Sequence, residues 1–431
     1  MNRILLALVV LVFSVGGLRA DQTNALPVLT LATAEQLALQ NHPQIAAADF
    51  RVLAAQEAVK EARAGYYPTA NFAVDAVGAN DEGTRILAGG LNNPSVYDRA
   101  AGGVSVSQLI TDFGHTANLA ASSKFQAQAE GQNARATREQ ILLRVTVGYL
   151  SALQAQAVLQ VAQQTFDNRQ LLLDRVSVQA SNKLKSELDV SFARVAVQEG
   201  KLLLQKAQSS ADAAMFSLTA DMGGREPKSY QLIEPAAVVV ATNDVSQLVE
   251  TALTDRPELL SLHNQNEAAL RFAKSQRDAR LPTIAAFGVA GVSPIHDDHL
   301  DNNYAVGGLQ LTIPLFAGGL YTARQHEAEL KSQADLELLR AAENDIVRDV
   351  HLAWLNVNNA VEQLKTTTDL VTNANDAYEL AGARYKIGSS SIVELSQAQL
   401  ALTSAQIAAA SARYNLLIQQ ASLNYEVGAL K

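Results

Sequence analysis

Two residue patterns in the 431-residue chain could do chemistry. His296-Asp297-Asp298-His299 combines imidazole and carboxylate donors, the ligand types that hold divalent metals. It falls in a stretch rich in Asn, Asp, His and Pro, residues 294–303, which reads as an exposed loop, so a solvated polar tip is favoured over a site for His296 and His299. No metal or cofactor is expected. The second pattern is a serine followed three positions later by an acid: Ser186-Glu187-Leu188-Asp189 and Ser391-Ile392-Val393-Glu394. In such a capping box the hydroxyl and the acid engage the free N–H groups that open a helix, and Asp189 and Glu394 also sit where the helix dipole favours an anion. G-x-S-x-G, G-x-x-x-x-G-K and H-E-x-x-H are all missing, so the chain reads as something other than an enzyme.

The capping boxes require helices, and the composition supplies them. The chain is 48% hydrophobic but only 5% aromatic and rich in Ala, which suits closely spaced helices rather than one large globular core. With no cysteine there is no disulfide framework, thiolate nucleophile or Cys-bound metal. Its net charge of −9, without a dense Lys/Arg cluster, argues against nucleic acid as a partner. Residues 1–20 carry Arg3, an apolar run and small residues before Asp21, the pattern of a secretory signal; an uncleaved N-terminal anchor is the alternative. Beyond residue 20 no apolar run reads as a membrane-spanning helix.

The chain is also written twice. Asn41-His42-Pro43 recurs as Asp255-Arg256-Pro257, and Tyr149-Leu150 recurs as Trp354-Leu355. The first repeat is placed at 21–224 and the second at 244–429, joined by a linker, 225–243. No proline lies between Pro94 and Pro227 or after Pro314, so long helices are expected over about 116–182 and 321–387, with return helices over about 186–222 and 391–427. At 1.5 Å per residue each long helix would run for about 100 Å and must pack along its length against others.

Between these helices the period changes. Strands are expected over about 69–79, 101–111, 283–293 and 304–315, with Leu309, Leu311 and Ile313 on one face of the last and Gln310 and Thr312 on the other. Each has about the 9–11 residues of a tilted transmembrane strand. Four strands cannot close a barrel, which needs about eight, so more than one chain must contribute. An oligomer closing a barrel and continuing it in helices would be a tunnel. A periplasmic coiled-coil adaptor or scaffold would share the helices and the signal, but would not need the strands.

At this point the chain resembles the TolC-like outer-membrane efflux proteins over nearly its whole length. The resemblance is carried by the duplicated Asn/Asp-x-Pro openings, the strand end Leu311-Thr312-Ile313-Pro314-Leu315-Phe316-Ala317-Gly318-Gly319, the turn Ala383-Arg384-Tyr385-Lys386-Ile387-Gly388 and the closing Ala412-Arg413-Tyr414-Asn415. It implies a mainly α protein with a β-barrel portion. Four transmembrane strands per protomer would close a 12-stranded barrel in a homotrimer, above a helical barrel and a small equatorial domain that includes the linker. It further implies a passive exit duct in outer-membrane lipid, in a Gram-negative-type cell, with a long periplasmic extension. A periplasmic adaptor (membrane fusion protein) and an inner-membrane transporter would couple to it, for small-molecule efflux or for type I protein secretion.

In the resemblance the helical hairpin tips close the periplasmic end. Asp189, Glu394 and Gln397 take the gate and selectivity positions, Gln397 standing where a second acid would add to the ring. Tyr385 takes the latch position. In the tip turns with Gly388, Ser390 stands where the family's namesake carries an arginine, and Lys183 replaces the glycine of the first turn.

Overall fold

The computed structural model describes residues 26–77, 87–88, 91–92, 99–226, 228–235, 244–296 and 301–430. The expected signal, most of the loop before residue 99, and Asp297, Asp298 and His299 lie outside the described residues. In chain order the first half contains β1 (Val28–Leu29), α1 (Leu31–Asn41), α2 (Pro43–Ala64), β2 (Thr69–Val77), β3 (Leu87–Ala88), β4 (Leu91–Asn92), β5 (Arg99–Thr111), α3 (His115–Ser181) and α4 (Glu187–Asp221). The second half contains β6 (Gln231–Leu232), α5 (Val245–Asp255), α6 (Pro257–Asp278), β7 (Thr283–Ile295), β8 (Asn303–Thr312), α7 (Leu320–Lys386) and α8 (Ile392–Glu426). The fold is mainly α, and α1 to α4 have the lengths of α5 to α8: 11, 22, 67 and 35 residues.

Local chemistry sets these lengths. Pro43 and Pro257 cannot continue the helix before them, so His42 and Arg256 turn extended and each proline opens a new helix as its first residue. The return helix of each half ends against this break. Gly223 closes α4 with φ +82°, and a Cβ there would lie 2.9 Å from the Asn41 carbonyl carbon. Only glycine permits both the left-handed backbone and that approach.

Side-by-side packing follows from small residues along α3. Its first half lies against α2 and α6, where Ser122 Oγ donates to the Ala268 carbonyl at 2.8 Å and Ser261 Oγ to that of Ala129 at 3.1 Å. Its second half lies against α4 and α8, with Arg169 donating to the Ala196 carbonyl at 2.8 Å and the Thr165 and Thr403 hydroxyls 3.2 Å apart. Helix α7 repeats the arrangement with α6, α5 and α8. Each full-length helix thus has shorter ones stacked along it. Contrary to the reading of the sequence, α3 does hold an 18-residue window of mean hydropathy 1.3, long and apolar enough to cross a membrane by composition. Its apolar residues Ile141, Val145, Tyr149 and Leu153 are buried in the protein core instead.

That core sits midway along α3. Tyr149 is fully buried, and its hydroxyl lies 2.8 Å from the Leu29 carbonyl and 2.6 Å from that of Ile233. It thereby fastens β1 and the linker strand β6, which pair in parallel, to the long helix. Beyond β6, Glu234 accepts from the Tyr414 hydroxyl and pairs with Arg413 at 2.6 Å.

The four long strands form one antiparallel sheet in the order β2-β5-β7-β8. Two hairpins are joined by β5–β7 pairing, in which Ser107 faces Phe287. Cross-strand partners share a face, so the register separates the sheet chemically. Phe72, Val104, Val106, Val292, Leu309 and Leu311 fall on one side, while Thr69, Asn71, Ser105, Ser107, Gln310 and Thr312 fall on the other, together with the apolar Phe287, Val289 and Val306. Strand β8 ends at Thr312, earlier than expected, because Pro314 lacks the N–H a ladder requires. Leu315 and Phe316 then leave the sheet, each 90% exposed. Strand β5 begins at Arg99, earlier than expected, and β3 with β4 forms a two-residue ladder inside the segment read as a loop.

Candidate functional site

Both long helices end in the same backbone closure. After α3, Lys183 N–H donates to the Ala180 carbonyl and Leu184 N–H to that of Gln179, both at 2.9 Å. After α7, Gly388 N–H donates to Tyr385 at 3.2 Å and Ser389 N–H to Arg384 at 2.9 Å. This pattern needs a left-handed residue. Gly388 supplies it with φ +78°, whereas Lys183 adopts φ +60° against the steric preference of an L side chain.

The return helices start differently. At α4 the box is reciprocal: Ser186 Oγ accepts from Asp189 N–H at 3.2 Å, and Asp189 Oδ2 accepts from Ser186 N–H at 3.1 Å and from its hydroxyl at 2.9 Å. At α8 only half of the expected box forms, with Ser391 Oγ accepting from Glu394 N–H at 3.2 Å. The Glu394 carboxylate points across the turn to Arg384 instead, 3.0 Å away. A guanidinium competes well for a carboxylate against a single backbone N–H. The two acids, equivalent in sequence, therefore have different partners.

A shared apolar core holds the tips together. Val176 and Val190 of the first hairpin pack with Ala381, Tyr385, Ile392 and Leu395 of the second. Tyr385 is 7% exposed, and Lys185 Nζ lies over its ring, 4.0 Å from the centroid. Burial and the nearby Asp189 charge push the Tyr385 phenol up from its ordinary value. The phenol oxygen has no hydrogen-bond partner among the described residues. Ser390 Oγ donates to the Ser391 carbonyl at 3.4 Å, and Gln397 is exposed one turn beyond Glu394.

Asp189, Tyr385, Glu394 and the turn residues are thus gathered at one end of the helices. His296 is elsewhere, at the end of β7, with Nε2 2.6 Å from Asn302 Oδ1. Among the described residues no group of three His, Asp or Glu side chains is arranged to hold a metal. Arg384 and Lys185 were not singled out from the sequence. The available signal was positional: Arg384 and Glu394 flank one short turn, and Lys185 directly precedes the Ser186 cap.

The family model described as "Outer membrane efflux protein" matches residues 34–224 and 248–429. The chain belongs to the outer membrane efflux protein family. It is an outer-membrane channel protein with a long helical periplasmic extension. Over 414 residues it is 24% identical to outer membrane protein TolC of Vibrio cholerae, covering 93% of this chain and 91% of that one. It is 28% identical over 327 residues to the proteases secretion protein PrtF of Dickeya chrysanthemi, covering 71% and 69%. The same fold is found in the CmeC outer membrane channel of Campylobacter jejuni, with TM-score 0.80 at 16% identity, covering 93% of this chain and 85% of that one. In this efflux protein the matched segments include both hairpin tips and all four long strands.

Proposed function

We propose that three copies of the chain close one 12-stranded barrel in the outer membrane and continue it as a helical duct about 100 Å long. The observation that carries this reading is the sheet. One face is apolar while the other carries most of the polar side chains, and among the described residues its outer strands, β2 and β8, have no partner on their outer edges. In lipid such edges require pairing, and four strands are too few to close on themselves. A neighbouring copy offers β8 to β2, and three copies leave a polar lumen. A coiled-coil adaptor has no use for such a sheet. Residues 1–20 would direct export and be removed.

In this assembly the duct conducts passively and does no covalent chemistry. A periplasmic adaptor and an inner-membrane transporter deliver its cargo, and the hairpin tips gate the periplasmic end. Asp189, Glu394 and Gln397 lie at the mouth, Tyr385 holds the two tips together, and Lys183, Gly388 and Ser390 set the turns that begin at Ser186 and Ser391. Small-molecule efflux is the leading use. Type I protein secretion is the second reading, supported by the likeness to a protein named for protease secretion.

Single-channel recording from the purified protein in a planar bilayer tests the proposal. Stable unit currents from a species with the mass of three chains are expected. A monomer that stays in the soluble fraction and carries no current would overturn it.

A further inference from the structure

The tips carry more cations than acids, the reverse of the chain as a whole. Within the two turns and the first helical turn on either side stand Lys183, Lys185, Arg384 and Lys386 against Glu187, Asp189 and Glu394, and one turn further out Arg175 and Arg194 stand with Asp174 and Glu379, a surplus of one cation per chain. The whole chain has net charge −9. Resting on the trimeric duct proposed above, we propose that the periplasmic mouth is electropositive and passes anions in preference to cations, which makes anionic solutes its favoured cargo class.

Geometry supports the count, because two of the three acids nearest the turns are already engaged. Glu394 lies 3.0 Å from Arg384, so at the distance of a passing ion the pair presents almost no net field. This holds even though an exposed pair of this kind contributes little to stability. Asp189 accepts from the Ser186 N–H and hydroxyl and faces the positive end of α4. On the other side of the balance, Lys185 is held over the Tyr385 ring at the junction of the two tips. Lys183 sits exposed on the left-handed residue of the first turn. Gln397, where a further acid would lie in an acidic ring, is neutral. Three protomers meeting at one axis would then place the surplus of each within about a Debye length, about 8–10 Å at physiological salt. A narrow, low-dielectric mouth focuses that field on whatever enters.

Glu394→Gln raises the chloride-to-potassium ratio under either sign of the mouth, so it is the ratio of the unsubstituted protein that separates the two. If Glu394 belonged to an acidic selectivity ring, Glu394→Gln would weaken a cation preference. In an electropositive mouth the same change releases Arg384 and strengthens an anion preference.

The test is the reversal potential of the purified full-length protein in a planar bilayer under a KCl gradient, with conductance recorded alongside. Expected are a chloride-to-potassium permeability ratio above one, a rise in Glu394→Gln, and a fall of about twofold or more in Lys185→Gln/Arg384→Gln. Both variants alter exposed or half-buried tip positions, and unchanged circular dichroism and oligomer mass would establish that they fold. A wild-type ratio at or below one, or a ratio that falls in Glu394→Gln, overturns the proposal while leaving the channel intact. Absence of any current overturns the duct itself, and this inference with it.

Discussion

Lys183 and Gly388 occupy the same place in the two hairpin turns, with φ +60° and +78°. The lysine holds a conformation that costs an L side chain about 1–2 kcal/mol relative to glycine. Lys183→Gly should therefore stabilise the first tip by about 1 kcal/mol, and Gly388→Ala should destabilise the second by a similar amount. Amide hydrogen exchange at the two turns reads both effects. Equal exchange in wild type and Lys183→Gly would mean that the turn is not strained.

The unequal capping predicts unequal responses. Asp189→Ala removes a reciprocal cap and should weaken the start of α4 by about 1 kcal/mol, with faster exchange over its first turn. Glu394→Gln should leave the start of α8 almost unchanged, because Ser391 alone caps it. Ser391→Ala should cost α8 about as much as Asp189→Ala costs α4. A large loss of protection in Glu394→Gln would show that its carboxylate caps after all.

Tyr149 ties β1 and the linker to α3 through one phenol. Tyr149→Phe would remove the hydroxyl that lies against the Leu29 and Ile233 carbonyls and accepts from the Ile233 N–H, at a cost of about 1 kcal/mol. Limited proteolysis of the linker should accelerate well before the helices melt. Cleavage at the wild-type rate would mean the linker is held by other contacts.

At the break between α1 and α2, His42 Nδ1 accepts from the Gln44 N–H at 3.2 Å. Burial, then the Arg144 charge, push the His42 imidazole below its ordinary value of 6.5. Because the folded state favours neutral His42, its contribution is present above pH 6.5 and is lost as pH falls through the lowered folded value. Protonation also removes the lone pair that caps α2. Stability should fall by about 1 kcal/mol, a typical cap, between pH 7.5 and pH 5.5, read as a lower melting temperature. The drop should be smaller in His42→Asn, which can cap without titrating in this range. Half-buried Glu426, pushed up by desolvation first, acts in the opposite sense, gaining stability as pH falls toward the carboxylate range. A pH response unchanged in His42→Asn would assign it elsewhere.

What the sequence made legible was governed by local rules. Proline spacing and Ala-rich composition announced long helices, because both act within one helical turn. The offset relating Lys183 to Gly388 announced two equivalent turns. Less legible was anything decided by a contact between segments. The Ser391 box looked like the Ser186 box until Arg384 drew the Glu394 carboxylate across the turn. The segment 283–293 has no clean alternation in sequence, and only its pairing shows that Ile284, Ala286 and Val292 lie on the side of Leu309 and Leu311 while Phe287 and Val289 lie on the other. The apolar window in α3 could not be separated by composition from a membrane span, since only its neighbours show what it is buried against.

The pairing of β5 with β7 joins the two halves of the chain, and it constrains how the protein can be made. A nascent chain that has emerged as far as α4 holds the β2–β5 hairpin with one long edge of β5 bare, and its mate lies well over a hundred residues further along. Such an edge is a template for wrong partners, and distant pairing is slow to find. The sheet therefore cannot be completed during synthesis of the first half. Until the second half is present, that edge of β5 stays open to wrong partners.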